Sequence, residues 1–313
     1  MADLSAWPAL VLTAGRATRL RPLSSIRAKA AMPVAGTPLI VRILQWLRAA
    51  GVRRVVMNLH HRPETITRVV GDGSAWDVRV RYSWEPQILG SAGGPRRALP
   101  LLDAERFLIV NGDTLTDCNL HALAERHAAS QALVTMALVT GDVARYGGAV
   151  VNEDGYVSGF ARAQQAAGPG GGSVLHFIGV QAAEAAAFSA LPDNEPSEIV
   201  RTVYPAHIAA RPRSIAAYVS EAEFFDVGTA RDYLDTVALI AKREGRGFDR
   251  GEDCRVAADA SIEDSVLWDR VTIGRGARLR RCIVADDVVI PEGARYESSV
   301  LVQDEHAVKV TDL

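Results

Sequence analysis

Three groups of residues in this chain could act on one charged ligand. The turn Thr13-Ala14-Gly15-Arg16-Ala17-Thr18 follows the apolar run Ala9-Leu10-Val11-Leu12. Its side chains are mostly short, so the backbone can come close to a ligand and aim N–H groups at an anion. No Asp or Glu occurs between Leu4 and Pro63, whereas Arg16, Arg19, Arg21, Arg27, Lys29, Arg42, Arg48, Arg53, Arg54 and Arg62 all fall there. In a chain of net charge −2 that asymmetry suits a polyanion such as a phosphate group. The third group is a pair of carboxylates. Asp113 follows Phe107-Leu108-Ile109-Val110 through Asn111-Gly112, and Asp226 lies between Phe224-Phe225 and Val227-Gly228-Thr229. Either alone could simply cap the helix after it. Together they could grip one hard cation, because Mg²⁺ favours one or two carboxylates plus phosphate oxygens. There is no G-x-x-x-x-G-K-[ST], and T-A-G-R-A-T is not G-x-G-x-x-G, which disfavours a P-loop or an ordinary dinucleotide site.

The elements that must position these residues alternate. Ala9–Leu12 reads as a buried parallel strand, and Leu39, Ile43, Leu44 and Leu47 recur at helical spacing up to Gly51. A strand at 55–59, a helix at 64–70, a strand at 78–82, a helix near 92–99 and a strand at 107–110 follow. This alternation predicts an α/β fold, a Rossmann-like and mostly parallel sheet covered on both faces, with ligands bound beyond the carboxyl ends of strands. His60 and His61 sit at one such end, but no carboxylate or Cys at ligand spacing accompanies them, so they read as loop or cap residues. Further on, the sequence predicts a strand at 176–180, helices at 182–188 and 199–210, a strand at 215–219 and a helix from Thr229 to Arg243. Gln164 to Ser173 reads as a loop, either a lid or a solvent excursion.

Past the glycine-rich stretch 245–251, a repeat begins. Ala260, Ala277 and Ala294 recur at seventeen-residue steps; so do Ile262, Leu279 and Tyr296, then Val266, Ile283 and Val300, with Val271 and Val288, and Ile273 and Ile290. That spacing is close to one turn of a triangular solenoid with these residues stacked inward. A coiled coil is excluded by the period, and a β-sandwich does not predict it. Leu267, Trp268, Val284 and Val302 fall near the corners, where they add apolar surface outside the stack or pack on the preceding domain. The expected division is residues 1–244 as a catalytic domain, 245–253 as a linker and 254–313 as the solenoid.

The balanced charge disfavours a nucleic-acid partner. No signal peptide and no apolar run of about 20 residues occurs, so a cytoplasmic protein without a membrane partner is expected. Cys118, Cys254 and Cys282 are odd in number and far apart, which indicates neither a disulfide framework nor a zinc site.

The segment Leu12-Thr13-Ala14-Gly15-Arg16-Ala17-Thr18-Arg19-Leu20-Arg21-Pro22-Leu23, followed by Lys29 and Met32-Pro33-Val34, resembles the signature of the sugar-phosphate nucleotidylyltransferases. These enzymes join a nucleoside triphosphate to a sugar 1-phosphate and release pyrophosphate. Val110-Asn111-Gly112-Asp113 and Asp226-Val227-Gly228-Thr229 resemble the family's V-N-G-D and D-x-G-T, and Leu89-Gly90-Ser91-Ala92-Gly93 resembles L-G-T-A-G of its mannose-1-phosphate guanylyltransferase-like members. The resemblance implies that Asp113 and Asp226 hold catalytic Mg²⁺, that Lys29 neutralises the reacting phosphates, and that Arg19 and the N–H groups of residues 13–18 hold the departing pyrophosphate. Glu85, Gly90, Ser91 and Ala92 would lie along base and ribose, and a carboxylate at Glu85 favours GTP over UTP or dTTP, since guanine offers it two donors. Gly147, Arg162 and Gly179 fall where the family binds the sugar phosphate. The solenoid resembles the left-handed β-helix appended to many of these enzymes, and its few coils are expected to dock either on the catalytic domain or on another subunit, the latter giving a homo-oligomer.

The chain departs from the pattern in three places. Ala17 replaces the usual Gly and removes a positive-φ option, Thr37 replaces a common second lysine, and F-x-E-K-P reads Phe160-Ala161-Arg162-Ala163. Two alternatives stay open: a catalytically silent nucleotide-sugar-binding regulatory subunit, and a uridylyl- or thymidylyltransferase of the same family.

Overall fold

The computed structural model describes residues 2–141, 143–163, 172–245, 249–304 and 307–313. Of the loop expected at Gln164 to Ser173, only Gly172 and Ser173 belong to these, and residues 246–248 of the expected linker lie outside them. The chain forms two compact units: Met1–Gly15, Ile43–His60 and Val70–Phe224 make the first, and Arg16–Arg42, His61–Val69 and Phe225–Leu313 the second.

The first unit is built on a mixed sheet of nine strands. Ala9–Leu12 lies at its centre because its apolar residues suit a strand covered on both faces, and Ala9, Leu10 and Val11 have no exposed surface. It pairs in parallel with Arg54–Leu59 on one side and with Arg106–Asn111 on the other. Arg79–Trp84 extends the sheet in parallel beyond Arg54–Leu59. The chain therefore steps outward twice and then returns across its first strand, which makes a topological switch point between Ala9–Leu12 and Arg106–Asn111. Beyond that point the sheet turns antiparallel. Ser173–Glu184 runs against both Arg106–Asn111 and Val134–Val139, and Ile215–Val219 pairs in parallel with Val134–Val139. Leu10, Val56, Phe107, Ile109, Met136, Phe188 and Tyr204 share the core.

Two expected helices are corrected. Residues 182–184 belong to the strand Ser173–Glu184, and helix is confined to Ala186–Ser189. The alanines there favour a helix locally, but pairing with strands on both sides overrides that preference. The expected helix at 199–210 is a wide π-turn, Ile199–Val203, followed by the α-helix Tyr204–Ala210. Pro205 has no N–H to continue an α-ladder backward, so an α-helix can start at that point but not run through it.

The second unit contains the helix Ala230–Arg243 and the solenoid. Thr229 caps the helix, its hydroxyl oxygen accepting from the N–H of Asp232 at 3.2 Å. In the solenoid, parallel pairs join Val266 to Ile283 to Val300, Thr272 to Val289, and Ser261 to Arg278 to Arg295. Each step is seventeen residues, and three short sheets form the three faces of a left-handed β-helix. Its corners repeat too: Asp253, Arg270 and Asp287, and Asp264, Arg281 and Ser298, all have left-handed backbone with φ between 46° and 63°. At one corner the Arg270 and Asp287 N–H groups bond to the carbonyls of Glu252 and Asp269 in the coil before. A short parallel strand can then turn about 120° without leaving its donor unpaired.

One ladder expected inside faces outward. Leu267, Val284 and Leu301 belong to the interior cluster with Val271, Ile273, Ala277, Leu279, Val288 and Ile290. Val266, Ile283 and Val300 alternate with them and point the other way. They are nonetheless buried. Trp268, with no exposed surface, donates from Nε1 to the Tyr233 hydroxyl at 2.9 Å, and that hydroxyl donates to the Pro33 carbonyl at 2.5 Å. Arg27 stacks on the Trp268 ring, 5.2 Å from its centroid, and its guanidinium bonds to Asp286 at 2.7 and 2.5 Å and to Asp269 at 2.5 Å. Burial disfavours the Arg27 charge, but hydrogen bonding by Asp286 and Asp269 outweighs it and raises the pKa.

Removing Arg27 leaves two part-buried carboxylates side by side. Arg27→Ala is expected to cost about 3 kcal/mol in denaturant unfolding, as breaking a buried pair does. Arg281→Ala, which removes the exposed pair with Asp235 (41% and 57% accessible), should cost less than about 1 kcal/mol. Equal effects of the two changes would contradict the stabilising role of the Arg27 pairs with Asp286 and Asp269.

Candidate active site at the sheet switch point

A cleft of about 240 Å³ opens at the carboxyl ends of the strands flanking the switch point in the first unit. Leu12, Ala14 and Gly15 line it from the end of Ala9–Leu12, and Asn111 and Asp113 from the end of Arg106–Asn111. Asn58, Glu85, Ile88, Gly90 and Ser91 complete the wall.

Small residues make this convergence sterically feasible. A Cβ on Gly112 would lie 2.6 Å from Thr13 Cγ2 and 2.7 Å from the Leu12 carbonyl oxygen. The Gly112 N–H instead bonds to that carbonyl at 2.9 Å, and Asp113 is thereby delivered to the cleft. On the opposite wall Gly90 has φ +75°, and a Cβ there would come within 2.6 Å of the Ser197 carbonyl oxygen. That carbonyl accepts from the N–H of Ala92 at 2.9 Å, and the Ser91 hydroxyl donates to Glu198 at 2.6 Å.

Glu85 departs from the sequence expectation in one respect. Its side chain is fully buried, and both carboxylate oxygens have partners inside the protein: Asn58 Nδ2 donates to Oε1 at 2.7 Å, and the Leu89 N–H to Oε2 at 2.9 Å. Asn58 in turn accepts the Thr13 N–H on Oδ1 at 2.6 Å, and the Thr13 hydroxyl donates to the Asn58 carbonyl at 2.5 Å. Thr13, at 6% accessible, therefore lies beneath the cleft rather than on its wall. Ala92 is buried as well.

The remaining expected residues of this unit lie off the cleft lining. Gly147 (φ +73°) and Gly179 (φ +76°) are tight backbone positions, a Cβ at the latter meeting Asn111 Nδ2 at 2.7 Å. Gly179 falls where the pairing of Ser173–Glu184 with Val134–Val139 shifts register, between Phe177 and Gln181. Arg162 is exposed just after the strand Val157–Ala161.

The second unit holds Lys29 and the loop arginines Arg16 and Arg19. Lys29 Nζ lies 3.8 Å from Asp226 Oδ1, with the two side chains 11% and 17% accessible. Gly228 permits this placement of Asp226, since a Cβ there would be 2.9 Å from Asp226 Oδ2. Arg16, Thr18 and Arg19 are exposed. Ala17 has φ 47° and ψ 49°, so the positive-φ option is used by alanine rather than lost. It carries the cost of that region for a residue with a Cβ, about 1 kcal/mol or more.

Among the described residues no three His, Cys, Asp or Glu groups cluster as a metal cage. Asp113 and Asp226 each offer hard oxygen donors of the type Mg²⁺ accepts alongside phosphate oxygens, so their chemistry fits that ion. Sequence reasoning missed Asn58, although a polar residue ending the apolar run Val55-Val56-Met57 was a usable signal. It also missed Glu198, which no motif marks.

Residues 8–243 match the model of the Nucleotidyl transferase family, and residues 251–312 that of the GlmU-like, C-terminal hexapeptide. Over 300 residues the chain is 29% identical to a mannose-1-phosphate guanylyltransferase of Mycobacterium tuberculosis, covering 94% of this chain and 82% of the relative. Over 115 residues it is 45% identical to an N-acetylmuramate alpha-1-phosphate uridylyltransferase of Neisseria meningitidis, covering 36% of this chain and 50% of that one. A crystal structure of HddC from Yersinia pseudotuberculosis complexed with GMP-PN shares the fold, with a TM-score of 0.62 at 21% identity over 75% of this chain and 99% of that one. No described helix is long and apolar enough to cross a membrane. With three quarters of its length matched to one family model, and a switch-point cleft where such a fold binds its ligand, the chain belongs to the nucleotidyl transferase family of sugar-phosphate nucleotidylyltransferases.

Proposed function

We propose that the protein transfers the nucleotidyl group of a nucleoside triphosphate, GTP by preference, to a sugar 1-phosphate and releases pyrophosphate. The observation that carries this reading is the convergence of Ala14, Gly15, Glu85, Gly90, Ser91 and Asp113 on one cleft. GTP is supported by the L-G-S-A-G segment and by the likeness to a guanylyltransferase over nearly the whole chain. A sugar 1-phosphate oxygen attacks the α-phosphorus, a new P–O bond forms, and the bond from that phosphorus to the α,β-bridging oxygen breaks.

The residues of this chain act by positioning and charge neutralisation, as phosphoryl-type transfers require. The N–H groups of residues 14–18 and the Arg16 and Arg19 guanidiniums hold the triphosphate, while the Thr13 N–H, bonded to Asn58 Oδ1, anchors the loop from beneath. Lys29 neutralises negative charge that shifts toward the leaving pyrophosphate. Gly90 and Ser91 carry the base and ribose, with buried Ala92 fixing their turn through its bond to the Ser197 carbonyl, and Gly147, Arg162 and Gly179 serve the sugar-phosphate side. Asp113 and Asp226 would hold Mg²⁺, which when bound supplies charge neutralisation between the reacting phosphates. Residues 1–244 form the catalytic domain, and residues 254–313 support self-association.

The test is pyrophosphate release from GTP, UTP, dTTP or ATP with a panel of sugar 1-phosphates and Mg²⁺. The expected outcome is release with GTP at the highest kcat/KM. A preference for UTP would favour the reading suggested by the shorter uridylyltransferase likeness, and no release from any pair would favour the regulatory subunit. Asp113→Ala and Asp226→Ala should each lower kcat on the order of a hundredfold or more, as loss of a strong electrostatic stabiliser does. Near wild-type rates at saturating Mg²⁺ would remove the affected residue from the proposed ligand set. Light scattering should give a multiple of the 33.6 kDa chain mass, and a monomer would contradict the self-association.

A further inference from the structure

We infer that Asn58 and Glu85 form a buried positioning relay that fixes the phosphate loop and the base-side turn to each other, and that Glu85 acts through this relay rather than on the nucleotide base. The inference rests on the proposed nucleotide site. The relay runs from the Thr13 N–H to Asn58 Oδ1 (2.6 Å), from Asn58 Nδ2 to Glu85 Oε1 (2.7 Å), and from the Leu89 N–H to Glu85 Oε2 (2.9 Å). Thr13 opens the loop after the first strand, and Leu89 is the residue before the helix Gly90–Leu102. Both ends are therefore backbone donors of segments that wall the cleft.

Several features argue that this chain of bonds is built rather than incidental. Thr13, Asn58, Glu85 and Leu89 are 6%, 3%, 0% and 1% accessible, so each polar group depends on its partner and not on water. Gly94 packs against the centre of the relay, where a Cβ would lie 2.9 Å from both Asn58 Nδ2 and Glu85 Oε1. The Glu85 backbone is held as well, its N–H bonding to the Leu59 carbonyl and its carbonyl meeting His60 Nδ1 at 2.8 Å. A carboxylate whose two oxygens accept two internal donors along these directions has a job within the fold. Cooperativity between linked bonds means that disturbing one end should be felt at the other.

The direction of each bond supplies the test. Glu85→Gln sets an amide N–H₂ against either Asn58 Nδ2 or the Leu89 N–H. Asn58 can relieve the first clash only by turning its own amide, which points a donor at the Thr13 N–H. Asn58→Asp sets two carboxylates face to face and drives Glu85 off the Leu89 N–H. The double variant Asn58→Asp/Glu85→Gln restores every bond with the central one reversed. The new carboxylate then accepts from the Thr13 N–H and from the new amide, whose oxygen accepts from the Leu89 N–H, and the net charge is unchanged.

Wild type, both single variants and the double variant are compared by calorimetric binding of GTP and UTP, by amide hydrogen exchange at Thr13 and Leu89, and by melting temperature. Each single variant should bind the preferred nucleotide roughly tenfold or more weakly, as loss of a buried hydrogen bond implies. Each should also speed exchange at the far end, Thr13 for Glu85→Gln and Leu89 for Asn58→Asp. The double variant should regain affinity to within about threefold of wild type and recover both protections, a strong coupling in the mutant cycle. Additive losses in the double variant, or single variants with unchanged far-end exchange, overturn the relay. If Glu85 reads the base instead, the double variant keeps the altered nucleotide preference of Glu85→Gln. Wild-type protein that binds neither nucleotide would sink the functional reading, while the exchange measurements would still judge the relay.

Discussion

The parallel pairing of Ala9–Leu12 with Arg106–Asn111, in the register Leu12 to Asn111, is the constraint on which the rest depends. Parallel neighbours end on the same side of a sheet, and at a switch point the two chains leave in opposite directions and open a crevice. The loop after Leu12 and the aspartate after Asn111 are brought to one place by that register alone. A shift by one residue would turn Asp113 away from the cleft. Gly112 is the local expression of the same constraint, because any side chain there would strike the end of the first strand.

The buried polar relay adds to this frame what a sheet cannot supply. Strand pairing sets where the segments begin, but neither the loop at Thr13 nor the turn at Leu89 is held by ladder hydrogen bonds. One amide and one carboxylate link them at an interior point. The arrangement carries the usual cost of buried polar groups and gains directional specificity, since each bond admits a donor on only one side.

Much of this was legible in the residue pattern. Alternating strands and helices, the N-G-D and D-V-G-T turns and the seventeen-residue repeat all showed themselves, because each reflects a local periodicity or a small residue forced by a close approach. What the pattern did not show was which partner decides. Ala182 to Glu184 have helical preference and become strand because two neighbours pair with them. Val266 and Leu267 are both apolar and both buried, and only the coil geometry decides which of them joins the interior cluster. Glu85 looked like a free carboxylate because nothing in sequence reveals that Asn58, twenty-seven residues earlier, occupies it. Ala17 looked unable to take positive φ and does take it.

The central claim is that the switch-point cleft receives the nucleotide. The most direct measurement is a crystal structure of the protein with a non-hydrolysable GTP analogue. The account predicts the base and ribose against residues 88–91 and the phosphates at residues 14–19. An analogue bound only elsewhere, for instance on the open solenoid face carrying Arg278, Arg280 and Arg295, would contradict it.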